Sequence, residues 1–368
     1  MKVLLLHASL GAGHKRAAEA LLEVLRQRNI ETEIQDLLVF LPHTVARFYS
    51  RMYTFMINDA RWLWRYVYAL VDQPRSDYAP AKSRLQRWQF RSLSEYLGKQ
   101  GFTHILSTHF TPSALLTDWK AKGRINGKIF SVITDYVAHR CWMRGGLDHY
   151  FVASDTVCNQ LQKAGVSAER ITVSGIPISP AFSDAESREQ ARKKWECLPE
   201  DTLLLVLCSA LNLQKTLAVL REIGELSGKL RFLVSTGTDP SKERQVKDVF
   251  QNDTRYTIFG FSPGIAQMMR AADLILTKPG GLIVSEALAM GKPQILFPPI
   301  PGQEEANAEY SVTRGAAVSI PEKRGAIKSA LEDLLSHPAR LQSMNRAAAC
   351  AGKPHAARTI IDVALRAG

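Results

Sequence analysis

What most constrains this chain is a repeated alternation of short apolar runs with stretches of helical spacing. In the first half the runs are residues 2–6, 104–107, 128–133, 149–153 and 171–173. After the first run, Ala17, Leu21, Val24 and Leu25 keep the three-to-four spacing of one helix face. In the second half the runs are 203–208, 230–235, 256–259, 273–277, 294–297 and 316–319. Strands that alternate with helices build a parallel sheet covered on both faces, because each crossover carries the chain back along one face. A chain of 368 residues exceeds an ordinary single core. The prediction is therefore two doubly wound α/β domains. The stretch Gly175-Ile176-Pro177-Ile178-Ser179-Pro180 breaks the pattern and reads as a linker, which gives domains at 1–175 and 176–354.

The densest chemical signal lies at Thr277-Lys278-Pro279-Gly280-Gly281-Leu282-Ile283-Val284-Ser285-Glu286. Here a strand runs into two glycines and then a helix. Free N–H groups and the positive dipole end at such a helix start favour a phosphate. Glu286 offers a carboxylate to ribose hydroxyls, and Ser285 a hydroxyl to the phosphate. A second segment, Pro301-Gly302-Gln303-Glu304-Glu305-Ala306-Asn307, places Gln303 and Asn307 four apart on one helix face.

Gly11-Ala12-Gly13-His14 sits at another strand-to-helix junction, where glycines permit a tight turn and close ligand approach. The dipole at a helix start disfavours an imidazolium, so His14 is expected to be neutral, as a general base must be. A histidine that only caps the helix or binds a substrate oxygen is the other reading. A further cluster, Asp135, His139 and Trp142, follows the run ending at residue 133, where ligands gather in open α/β sheets. Asp135 is expected to orient an acceptor or His14, and Trp142 to wall a lipid chain. A turn with a structural Asp and a core Trp fits the same residues.

Together these motifs resemble glycosyltransferase family 28, in the branch of monogalactosyldiacylglycerol synthases and bacterial diacylglycerol glucosyltransferases. The resemblance implies the GT-B architecture of two Rossmann-like domains facing across a cleft, with a last helix, here in 355–368, packed back on the first domain. It implies His14 as base with Asp135 in support, and Gly11, Gly13, His139 and Trp142 on the acceptor side. On the donor side it implies Phe261 beside a uracil, with Gly280, Gly281, Ser285, Glu286, Gln303, Glu304 and Asn307 around sugar and diphosphate. Two departures stand out. The family's glycine-rich loop after the first strand of the second domain corresponds to Cys208-Ser209-Ala210-Leu211-Asn212, and Ile283 stands where the family usually has Thr.

Residues 43–100 interrupt the sheet pattern and are rich in arginine and aromatics, Trp62 and Arg65 among them. Basic residues with Trp and Tyr suit an anionic membrane interface. A helical insertion with a core of aromatics is equally consistent. The net charge of +12 is concentrated in residues 1–175, where 23 Lys+Arg face 14 Asp+Glu. No nucleic-acid motif accompanies this charge, so a membrane partner is expected and nucleic acid is not. No apolar run reaches the roughly 20 residues that span a bilayer, and residues 1–6 read as a strand without a cleavage pattern. The five cysteines lack metal-ligand spacing and read as reduced thiols. No Asp-x-Asp pair occurs, so the diphosphate is expected to be held without a metal or other cofactor.

The expected function is an inverting transfer of hexose from UDP-glucose or UDP-galactose to diacylglycerol, by a cytoplasmic enzyme peripheral to the membrane. The alternatives are a UDP-N-acetylglucosamine transferase acting on a polyprenyl-linked peptidoglycan precursor, and a UDP-sugar-binding regulatory protein without turnover.

Overall fold

The structure, a computed structural model, describes residues 1–9, 11–58, 60, 62–63, 66, 89–143, 145–183, 186–262 and 264–367. Arg65 and the rest of the basic stretch at 67–88 lie outside the described residues. The chain folds as two compact units. The first comprises Met1–Pro180, Ile300–Asn307 and His355–Gly368, and the second Ala181–Pro299 and Ala308–Pro354.

The first unit holds a parallel sheet ordered β2-β1-β3-β4-β5-β6. Its strands are β1 (Lys2–His7), β2 (Glu31–Asp36), β3 (His104–Ser107), β4 (Lys128–Val132), β5 (His149–Val152) and β6 (Ile171–Val173). Its helices are α1 (Ala12–Gln27), α2 (His43–Asn58), α3 (Arg91–Gln100), α4 (Phe110–Ala121) and α5 (Asp155–Lys163). The apolar run of β1 is apolar on both faces because both are covered. Leu4 and Leu6 pack with Leu115, Leu116 and Trp119 on one side. Val3 and Leu5 pack with Leu21, Leu25 and Phe130 on the other. Helix Ala356–Arg366 lies against α1 and adds Ile360 and Ile361 to this second face. Each fully buried isoleucine contributes roughly 1.5–3 kcal/mol. β2 is an edge strand with no apolar run to mark it in the sequence, because Glu31, Thr32, Glu33, Gln35 and Asp36 hide any such pattern.

The stretch predicted as linker belongs to the first unit instead. Ile176 and Ile178 are buried, and the Ser179 hydroxyl donates to Glu23 Oε2 of α1 at 2.8 Å. The division falls at Pro180–Ala181 rather than at 175–176. Residues 300–307, predicted with the second domain, also count with the first unit, held by the Asn307 side chain as described below.

The second unit has a parallel sheet ordered β12-β11-β10-β7-β8-β9. Its strands are β7 (Thr202–Leu207), β8 (Leu230–Ser235), β9 (Tyr256–Phe259), β10 (Leu274–Thr277), β11 (Gln294–Leu296) and β12 (Ala317–Ser319). The helices are α6 (Arg188–Lys193), α7 (Leu213–Gly224), α8 (Pro240–Phe250), α9 (Ile265–Ala271), α10 (Gly281–Ala289), α11 (Gln303–Thr313), α12 (Ala326–Ser336) and α13 (Pro338–Ala351). Buried Arg192 fastens α6 below this sheet, donating to Asp273 Oδ2 at 3.0 Å and to the carbonyls of Leu198 and Asp201.

In both sheets the chain starts at an interior strand, builds to one side, and then crosses to the other. The crossing puts a topological switch point between β1 and β3 in the first unit and between β7 and β10 in the second. At the carboxyl ends of such strand pairs the loops part and leave room for a ligand.

Candidate active site

At the first switch point, β1 leads into α1 through Gly11 and β3 leads into α4 through Thr108 and His109. Gly11 has φ +91°, a left-handed conformation that an L side chain rarely adopts. It caps α1 without any side-chain hydrogen bond, and the first turn holds no acidic residue. Gly13 has open space where a Cβ would stand.

His14, on the first turn of α1, has Nδ1 2.7 Å from the Thr108 carbonyl oxygen and 2.9 Å from Thr134 Oγ1. A carbonyl only accepts, so Nδ1 carries the proton and the lone pair is on Nε2. The Thr108 hydroxyl in turn donates to the His14 backbone carbonyl at 2.8 Å. Rings surround the imidazole: His109 lies edge-on at 4.7 Å, and Trp142 is centred 6.5 Å away. Desolvation by this shell drives the His14 pKa down to about 4. The expected neutrality is present, with burial as its largest cause. His109 is also held neutral by burial, and its Nδ1 accepts the Thr111 N–H that starts α4. Its proton is therefore on Nε2.

The cluster expected after β4 is arranged differently. Residues 135–139 form no helical turn. The His139 side chain accepts the Cys141 N–H at 3.3 Å and caps a short 3-10 turn over Arg140–Trp142. Trp142 is only 3% exposed and packs in the core, so it presents no wall to a lipid. Asp135 does not hold His14; Thr108 and Thr134 do. Instead the Asp135 carboxylate accepts from Asn307 Nδ2 at 3.1 Å, while Asn307 Oδ1 accepts the Tyr136 N–H at 2.8 Å. Burial, and to a lesser extent the charge of Glu304, raise the Asp135 pKa to about 7 against the opposing Asn307 bond. Asn307, fully buried, thus has both ends of its amide engaged by the first unit.

Glu304 Oε2 accepts the Ile300 N–H at 2.8 Å, and Glu305 Oε2 the Gly302 N–H at 2.9 Å, which orders the entry to α11. Gln303 opens that helix, and its Oε1 is a buried acceptor with no hydrogen-bond partner among the described residues.

At the second switch point, α10 starts at Gly281 with Gly280 as its cap, a residue that has no side chain to bond the first turn. Gly280 has φ −70°, so the backbone itself does not demand glycine there. The Ser285 hydroxyl donates to the Gly281 carbonyl at 2.8 Å. In the structure that proton is engaged within the helix rather than directed at the first turn. Glu286 is buried at 1% exposure, so it is not a solvated surface glutamate. Phe261 is 72% exposed, so its ring does not pack into a core.

Residues 14–178 match the family described as monogalactosyldiacylglycerol (MGDG) synthase, and residues 205–360 match the glycosyltransferase family 28 C-terminal domain. A protein named processive diacylglycerol beta-glucosyltransferase from Bacillus cytotoxicus is 30% identical over 370 residues, covering 99% of this chain and 93% of that one. The chain belongs to glycosyltransferase family 28, in the branch of MGDG synthases and diacylglycerol glucosyltransferases. Among solved structures, MurG of Acinetobacter baumannii aligns over 99% of both chains with a TM-score of 0.63 at 15% identity. A UDP co-structure of MnaA from S. aureus aligns over 98% of this chain and 95% of its own with a TM-score of 0.64 at 13% identity. These likenesses give the GT-B fold class.

For a family 28 glycosyltransferase, the groups that sequence reading missed are Thr108 and His109. A faint signal exists: Ser107-Thr108-His109 puts polar residues at the end of an apolar strand, as Gly11 to His14 do. Trp62, expected on the membrane side, is 75% exposed. On α2, Phe48, Met52 and Phe55 are exposed at helical spacing, with Tyr49 beside them. No helix among the described residues is long and apolar enough to cross a membrane.

Proposed function

We propose that this enzyme transfers glucose or galactose from a UDP-sugar to the hydroxyl of diacylglycerol, with inversion at the anomeric carbon. The observation that carries the reading is the His14 tautomer. A neutral imidazole with its Nδ1 proton fixed on Thr108 has a lone pair on Nε2 and no competing charge. In the proposed step Nε2 takes the acceptor hydroxyl proton as that oxygen attacks the anomeric carbon. The bond to the diphosphate breaks on the opposite face, and UDP leaves with the electron pair. An α-linked donor then gives a β-glycoside.

The uncapped start of α10 supports a donor diphosphate at the second switch point. Its free N–H groups and dipole offset the charge that develops on UDP. The buried acceptor of Gln303 is a proposed partner of a sugar hydroxyl, since a buried amide oxygen without such a role is costly, and Glu286, buried on the helix that starts at this switch point, is proposed as a second. Phe261 is the proposed platform for the uracil ring. Diacylglycerol as acceptor is supported by what the Bacillus cytotoxicus relative is named for. The exposed apolar stripe of α2 and the positive charge of the first half support a peripheral site on an anionic, cytoplasmic membrane face.

The test is incubation with UDP-glucose and UDP-galactose, separately and mixed, and diacylglycerol vesicles, followed by mass spectrometry of the lipid. A hexosyl-diacylglycerol with release of UDP is expected. Binding of UDP without product under any condition would leave a binding protein and refute transfer.

A further inference from the structure

Lys242 stands on the first turn of α8 with 7% of its surface exposed. Its ammonium donates to the carbonyl oxygens of Cys208 and Leu211, each at 2.7 Å. Both carbonyls belong to the turn between β7 and α7, on one side of the second switch point. Among the described residues no carboxylate pairs with Lys242. Burial lowers its pKa, and the Asp239 charge opposes that.

This bonding fixes the direction of the turn's amides. In a trans peptide the C=O and the following N–H point opposite ways. Drawing the Cys208 and Leu211 carbonyls onto the ammonium therefore turns the N–H groups of Ser209 and Asn212 away from it. Ser209, Ala210 and Asn212 are on the exposed side. The turn is otherwise self-contained. Leu211 N–H donates to the Cys208 carbonyl, and the Asn212 side chain caps α7 at Lys215 N. Gly237 makes room for it: a Cβ there would lie 2.9 Å from Ser209 Cβ, and its φ is +93°.

The turn thus carries side chains where the resemblance led us to expect glycines, yet its N–H groups face outward with a positive charge behind them. Oriented amides backed by a buried cation favour an anion. We propose that Lys242 is a positioning residue for the donor's diphosphate, turning the N–H groups of the β7–α7 loop outward and placing a cation behind them. This rests on the reading above that the donor binds at the second switch point.

Calorimetric titration of UDP, UMP and uridine into the wild type, Lys242→Met and Lys242→Gln tests it. Loss of a charge-assisted contribution is worth roughly ten- to a hundredfold in affinity. For Lys242→Met, that loss is expected with UDP, a smaller one with UMP, and none with uridine. Lys242→Gln keeps donors for the carbonyls without the charge. It is expected to lose part of the UDP affinity and none for uridine, and it serves alone if the Met variant does not fold. Equal weakening of all three ligands would reduce Lys242 to a structural prop and overturn the proposal. So would UDP affinity unchanged in both variants. A wild type that binds no UDP would refute the donor site, and this role with it.

Discussion

The backbone carbonyl of Thr108 receives the Nδ1 proton of His14 across 2.7 Å, joining residues 94 apart in the chain. β1 and β3 are hydrogen-bonded neighbours, so the loops that follow them emerge side by side. The register of the sheet, and not any local sequence feature, decides which nitrogen of His14 is basic.

His14→Ala is expected to lower kcat by on the order of 10²–10⁴ with little change in UDP affinity, since the base acts on the acceptor. Thr134→Val removes one of two contacts to Nδ1 and is expected to lower kcat about two- to tenfold. Steady-state kinetics at saturating lipid check both. The limb of the pH–rate profile that belongs to His14 is expected near pH 4, where its pKa is held. Near-native turnover of His14→Ala would remove the histidine from the chemistry.

Asp135 and His14 are expected to bend the stability profile in opposite directions. The folded state holds the Asp135 proton up to about pH 7, whereas the unfolded chain releases it near 3.8. The folded state therefore binds more protons between those values, and stability falls as pH rises through the window. His14 titrates near 4 when folded and 6.5 when unfolded, so its contribution rises with pH over that range. Asp135→Asn should steepen the rise of Tm with pH between 4 and 6.5, and His14→Gln should flatten it. Each effect is on the order of 3–4 kcal/mol over its full window. Thermal unfolding across pH 4–8 gives the slopes, and unchanged slopes in both variants would contradict the assignment.

Asn307→Ala is expected to act on stability before it acts on donor binding. The substitution leaves the buried Asp135 carboxylate and the Tyr136 N–H without their partner. Such a loss costs about 1–3 kcal/mol. Glu286→Ala and Phe261→Ala, in contrast, are expected to weaken UDP-sugar binding. Phe261→Ala should do so with no change in Tm, since the ring is mostly solvent-exposed. Calorimetry and thermal unfolding on the three variants separate these effects. A stable Asn307→Ala that no longer binds UDP would restore it as a donor contact.

Replacing Phe48, Met52 and Phe55 together with Ser should reduce pelleting with vesicles that contain anionic lipid, and leave UDP binding intact. These side chains share one exposed stripe of α2, with Arg47 and Arg51 on the same helix. Salt should weaken the part due to arginine and spare the part due to the apolar stripe. Equal pelleting of wild type and triple variant would leave the stripe without a membrane role.

Strands were readable wherever both faces of the sheet are covered, because burial on both sides forces an unbroken apolar run, as in β1 and β7. The edge strand β2 was not readable, since a strand with one neighbour tolerates Glu31, Glu33 and Asp36. The two switch-point loops were marked in advance by Gly11 and by Gly280–Gly281. Their side-chain directions were not. Whether the Ser285 hydroxyl faces a ligand or its own Gly281 carbonyl is a single rotation about one bond. Whether Trp142 lines a cavity or fills a core depends on Phe110 and the rest of that core, which sequence spacing does not report. The Asp135–Asn307 bond spans 172 positions and has no local trace.

Helix Ala356–Arg366 has a consequence for the order of assembly. It is synthesised after every residue of the second unit, yet Ile360 and Ile361 complete one face of the first. A nascent chain can therefore close the second core while Val3, Leu21 and Leu25 still lack part of their cover. The unit that begins first on the ribosome is finished after its neighbour, and until then the face of α1 that Ile360 and Ile361 cover stays open to solvent.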